Sequence, residues 1–192
     1  MPTPLTANEV TARLESADVR LRELLSLTPQ GEKAPRLTGA DASVRLRLMQ
    51  EFFFHLIGAV EVVSQIVDDR EGLGLGEEAT IRNVCTRLAA GSAGLAALGG
   101  LCQQTRSKSV PADPYSEDGL LFRALVHRHN VTHRHMSPFL IRIGGSPPAS
   151  LPIDPRIYSG NYSDLPAEQE LKAMLSAVRD RCVATLKAYG LL

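Results

Sequence analysis

The stretch from Asp41 to Asp69 contains no proline and a single glycine, Gly58. Its apolar residues are Val44, Leu46, Leu48, Met49, Phe52, Phe53, Phe54, Leu56, Ile57, Val60, Val62, Val63, Ile66 and Val67. This reads as one long helix. Its apolar surface covers more than one stripe, so the helix has to be central and packed on several sides. Successive residues on a helix diverge by about 100°, so Phe52, Phe53 and Phe54 cannot all face one core, and part of this surface is either core or an oligomer interface. His55, Glu61, Ser64 and Gln65 interrupt its most apolar part, Phe52 to Val67, which is too polar for a membrane span.

Other helices arrange themselves around it. Val10, Leu14, Leu21, Leu24 and Leu25 recur at helical spacing and predict a helix over 7–27, opened by a capping box at Thr6 and Glu9. Gly72-Leu73-Gly74-Leu75-Gly76 follows no strand, so it reads as a turn and not as a phosphate-binding loop. A third helix is expected over 77–90, while the Ala/Gly-rich stretch 91–100 fits a weak helix or a close-packed turn. Ser116-Glu117-Asp118 starts a further helix with a buried side at Leu120, Leu121, Ala124, Leu125 and Val131, running to about His135 before Ser137-Pro138 stops it. Phe139–Ile143 is short and extended. A Pro/Gly-rich loop then leads to the last helix, with Asp164 as N-cap, Pro166 in its first turn and Gly190 as C-cap. The fold class is therefore all-α: an antiparallel bundle of four to six helices with a Pro/Gly-rich loop before the last one.

The chain has 192 residues, most simply one domain. Its formal net charge is zero, which argues against a surface that binds nucleic acid everywhere but leaves room for a local basic patch. The three cysteines, Cys85, Cys102 and Cys182, are scattered and odd in number. They read as buried reduced thiols in a reducing compartment. The N-terminal residues carry no secretory pattern, so a cytoplasmic location without membrane attachment is expected.

One segment departs from this balance. Four of the five histidines lie between His127 and His135. Between Gly119 and Ile153 there are four arginines, Arg123, Arg128, Arg134 and Arg142, and no Asp or Glu. His129 and His133 are four apart and share a helix face, and Arg128 is long enough to reach toward them. Histidine exchanges a proton near neutral pH, while arginine is a permanent cation whose fork matches phosphate oxygens. Together they suit metal-free cleavage of RNA: a base takes the ribose 2′-OH proton, that oxygen attacks phosphorus, and Arg stabilises the developing charge. A metal site is the rival reading, since His129 and His133 have a two-ligand spacing, but arginines among the ligands repel a dication. His55, His127 and Arg134 are read as ordinary surface or partly buried residues, the last two on a solvated face.

Arg128-His129-Asn130-Val131-Thr132-His133 resembles the R-polar-x-x-x-H motif of the HEPN superfamily of helical-bundle proteins, many of them ribonucleases. The similarity spans about Val44 to Arg142. The resemblance implies a homodimer whose motif helices share a cleft. It also implies Arg128 and His133 as the catalytic pair, with His129 in the polar position beside Arg128. His135 meets a looser spacing from Arg128. Arg123, Asn130, Arg134 and His135 are the expected substrate contacts. No cofactor is expected. The implied partners are RNA or a nucleotide, a second copy of the chain and a cognate regulatory protein, in a toxin–antitoxin or defence setting. The alternative is a non-catalytic module that binds nucleotide, RNA or protein through the same cations.

Overall fold

The long central segment is helical from end to end, and everything else packs around it. The computed structural model describes residues 6–27, 39–102, 111, 113, 115–133, 140–141, 149–150 and 167–192. Among them are six α-helices with described bounds, α1 (Ala7–Ser26), α2 (Gly39–Glu71), α3 (Ile81–Arg87), α4 (Ala93–Leu98), α5 (Glu117–His133) and α6 (Ala167–Ala188), with a 3-10 turn at Gly76–Glu78; residues 100–102 are helical as well. The only extended pairing among these residues joins β1 (Leu140–Ile141) antiparallel to β2 (Ala149–Ser150), with Leu140 opposite Ser150. Asp164 and Pro166, expected at the start of the last helix, lie outside the described residues.

Side-chain contacts fix the helix directions. Arg20 of α1 meets Glu51 of α2 at 3.0 Å, while Arg13 reaches over the Phe54 ring and fills the space beside Gly58. Later residues of α1 thus meet earlier residues of α2, and the pair is antiparallel. Arg181 of α6 bonds Glu117 of α5, and Glu170 bonds Arg123, so α5 and α6 are antiparallel too. The ends of α2 and α6 meet where the Tyr189 hydroxyl donates to Glu71 at 2.6 Å. The four long helices therefore form an antiparallel bundle, with α1 and α5 running against α2 and α6.

The core follows the sequence pattern. Phe52, Phe53, Met49 and Leu56 of α2 are fully buried, in one core cluster with Leu14, Ala17 and Leu21 of α1, Leu121 and Ala124 of α5, and Leu171, Met174 and Val178 of α6. Phe54 points away and is 57% exposed, as the 100° step between neighbours requires. No described helix is long and apolar enough to cross a membrane.

The connection from α2 to α5 is held by the acids of α2. Glu61 Oε2 accepts the amide of Ile81, the first residue of α3, at 2.9 Å. The Asp68 carboxylate accepts the amides of Leu75 and Gly76, each at 3.0 Å. Glu71 Oε1 accepts the amide of Gly94 at 2.9 Å as well as the Tyr189 hydroxyl. Backbone donors outside regular helices need partners, and here the acids of α2 supply them. Gly94 permits the last of these contacts, because a Cβ there would stand 2.7 Å from Tyr189 Oη and 2.8 Å from Leu88 Cδ2. The Gly72–Gly76 turn is thus a structural turn, with the amides of Leu73, Leu75 and Gly76 committed to Asp68.

Several local expectations need correction. Thr6 is the N-cap of α1, but its hydroxyl makes no capping hydrogen bond, so the Thr6–Glu9 box does not form. The third helix is shorter than 77–90. The Thr80 side chain caps it by accepting from Asn83 N, and it spans only Ile81–Arg87 after the separate 3-10 turn. In 91–100, Ser92 caps a genuine short helix by accepting from Leu95 N at 3.2 Å. Gly190, at φ +66°, ends α6 as expected. Leu191 N reaches back to Leu186 O and Gly190 N to Lys187 O, the paired bonds of a Schellman ending.

The cysteine reading is corrected as well. Cys85 and Cys102 form a disulfide that ties α3 to the residues after α4, and only Cys182 is a free thiol, fully buried in α6. The short helices α3 and α4 bring together two cysteines that a scattered spacing had kept apart. Burial pushes the Cys182 thiol up to about 12, so it stays protonated and unreactive in the folded chain. Thiol titration of the unreduced protein is expected to find no reactive thiol when folded and one in denaturant. Three thiols in unreduced, denatured protein would show the link to be absent.

Candidate functional site

The cationic segment lies on α5. Ser116 Oγ accepts the amide of Gly119 at 3.1 Å, with Glu117 and Asp118 in the first turn, where the helix dipole favours negative charge. The backbone stays helical through His133, which puts His129 and His133 one turn apart and Arg128 five positions before His133. The side chains of His129, Asn130 and His133, and the whole of Arg134 and His135, lie outside the described residues. The described part of the candidate site is Arg123, His127 and Arg128.

Arg123 belongs to the core. It is 2% exposed, its guanidinium bonds the fully buried Glu170 of α6, and it stands 5.3 Å from the centre of the Tyr115 ring. A buried charge is tolerable only with such a partner. The expectation that Arg123 contacts substrate is therefore corrected: in this chain its cation is committed between α5 and α6. His127 is corrected too. It is buried, not on a solvated face, with its ring stacked on Phe53 at 5.6 Å and its Nε2 3.9 Å from Glu170 Oε1.

Arg128 is different. It is half-buried, and its charge acts on Glu61 of α2. Side chains on a helix lean toward its N-terminus, and α5 runs against α2, so a long side chain at 128 extends toward the later turns of α2 where Glu61 sits. Burial pushes the Glu61 carboxyl above its ordinary value, and the Ile81 amide and Arg128 pull it back only in part.

The acid-free run in the sequence is thus not acid-free in space. Glu170 arrives from 47 positions beyond Arg123, and Glu61 comes from α2. Sequence spacing could not have found either, since both depend on how the helices pack. Both acids act on the first part of the segment, up to Arg128. Among the described residues no three His, Cys, Asp or Glu side chains form a metal-binding group.

A second titratable surface lies across the bundle. His55 sits beside the exposed Phe54, its ring edge-on at 5.4 Å, and its pKa is lowered, chiefly by burial and then by Arg13 and Arg20. A cavity of about 580 Å³ lies at the opposite end from the last turns of α5, between Thr6, Ala7 and Asn8 of the α1 start, Ile66, Asp69 and Arg70 of α2, and Leu191. Neither is lined by the described residues of the cationic segment, Arg123, His127 and Arg128.

No protein-family model, curated protein or solved structure matches the chain. The functional reading rests on the residues of α5 and on the helices that hold them.

The Glu61 geometry makes a pH prediction. A carboxyl raised by folding binds its proton more tightly in the folded than in the unfolded chain, so stability falls as pH rises from about 4.5 through the raised value. Glu61→Gln keeps an oxygen for the Ile81 amide and removes the titration. Urea unfolding between about pH 4 and pH 7 is expected to show a smaller loss of stability with rising pH in the variant than in the wild type. Parallel curves would show that Glu61 is not held in a desolvated place.

Proposed function

We propose that the chain is a metal-independent endoribonuclease of HEPN type that works from the last turns of α5. The observation that carries this reading is the unbroken helix through His133, which keeps Arg128 and His133 five positions apart with His129 between them. In this reading His133 takes the proton of a ribose 2′-OH, and that oxygen attacks the adjacent phosphorus. Arg128 holds the non-bridging oxygens as charge builds, and His129 assists proton transfer to the leaving oxygen. In this reading Asn130, Arg134 and His135 contact the RNA backbone. Two copies of the chain related by a two-fold axis bring both α5 ends to one groove, and a cognate regulatory protein covers it. The setting is the cytoplasm. The Cys85–Cys102 link counts against that setting, because disulfides are uncommon in a reducing compartment.

A second reading has its own support. Glu61 acts on Arg128 and competes with any phosphate for that cation. A chain in which the competition is strong binds RNA or a nucleotide through its cations without cutting it. Its binding falls steeply with salt, and no turnover follows.

RNA cleavage in excess chelator separates the two. The wild type is expected to cut with or without EDTA, and Arg128→Ala and His133→Ala each to lose about a hundredfold or more in rate. Activity that survives both substitutions, or that disappears with EDTA, rules the ribonuclease reading out. Salt-sensitive binding without cleavage selects the binding module.

A further inference from the structure

Arg123 and His127 stand one turn apart on α5, and both face one carboxylate on α6. Arg123 Nη2 bonds Glu170 Oε1, and His127 Nε2 lies 3.9 Å from the same oxygen. The three residues are 2%, 4% and 0% exposed. From the other side the His127 ring stacks on Phe53 of α2. The other Glu170 oxygen, Oε2, is buried and has no hydrogen-bond partner. The carboxylate thus faces α5 through Oε1.

Two contacts a turn apart do more than hold a helix in place. The Arg123–Glu170 hydrogen bond limits the rotation of α5 about its own axis, because a charge-assisted hydrogen bond has direction and distance limits that apolar contact lacks, and His127, at 3.9 Å too far to bond, flanks the same oxygen a turn later. The turns that follow this grip carry Arg128, His129 and His133. A rotation of α5 by one residue step, about 100°, would turn a different set of side chains to the outside.

We propose that Glu170 is a positioning residue. By gripping Arg123 and flanking His127 it sets the rotation of the last turns of α5, and with it the direction in which Arg128 and His133 meet RNA. This rests on the reading of α5 as the RNA-cleaving helix. The grip itself is a property of the fold and can be tested without RNA.

The experiment uses the full chain, with amide hydrogen exchange read by peptide alongside the rate of RNA cleavage. Glu170→Gln keeps the shape and removes the charge. Exchange in the last turns of α5 is expected to rise about tenfold or more, with α1 and α2 changed less than about twofold. The same variant is expected to lose about tenfold in kcat with KM little changed, since misorientation affects the reacting geometry more than the encounter. The double variant Arg123→Met/Glu170→Leu replaces the ion pair by apolar packing. It is expected to regain the wild-type Tm, because buried pairs are often replaceable in stability, while the α5 end stays loose and the rate stays low. Unchanged exchange at the α5 end in Glu170→Gln overturns the proposal. So does a double variant that restores both exchange and rate, because plain packing would then suffice. If Glu170→Gln fails to fold, the double variant decides: a normal Tm with a loose α5 end supports the grip, and a tight one overturns it. If the wild type neither cuts nor binds RNA, the functional reading falls, and exchange alone decides whether Glu170 sets the α5 end.

Discussion

Burial of α2 on several sides at once is the constraint on which the structure depends. Phe52 and Phe53 are adjacent and both fully buried, which requires helices on two flanks of α2. α1 takes one flank and α5 with α6 the other. A helix so enclosed has few places for polar groups, and its acids lie where they accept donors from neighbouring segments. Glu61, Asp68 and Glu71 take up the amides of Ile81, Leu75, Gly76 and Gly94. One helix thus supplies both the apolar core and the anchors for the irregular connection that leads to α5.

The seam between α5 and α6 has a different physical character. Its centre is a buried ion pair with an imidazole beside it, enclosed by the rings of Tyr115 and Phe53. Desolvating an arginine and a glutamate costs about as much as their attraction returns, so such a pair adds little net stability against an apolar alternative. Its contribution is direction. The seam lies immediately before the turns on which the proposed chemistry depends, where direction matters more than stability.

Periodicity made the long elements legible. α1, α2 and the last helix fall within a residue or two of the expected spans where described, because a sustained 3.6-residue pattern survives any tertiary context. The three phenylalanines resolved as geometry demanded. The short elements were not legible. A single residue with the right hydroxyl, Thr80 or Ser92, decided where α3 and α4 begin. The Cys85–Cys102 link depended on the packing of those two short helices, which no spacing rule encodes. The cationic segment was visible as a composition anomaly, but composition along the chain says nothing of what other elements bring to it. Arg123 and His127 looked like part of an open cationic face and are instead buried against Glu170. Arg128 kept its place on a half-buried flank, with Glu61 as a neighbour that the sequence did not announce.

The Gly72–Gly76 turn has one further consequence. A glycine-rich turn with amides converging on an oxygen anion is the same device that proteins use to hold phosphate. Here the anion is built in, as the carboxylate of Asp68. The turn is in effect a filled anion nest, its occupant tethered to the neighbouring helix. Loss of that one carboxylate would leave preformed donors facing an empty place. The distance between a structural turn and a new ligand pocket in this chain is then a single side chain, which is one way that binding sites can arise without any change of fold.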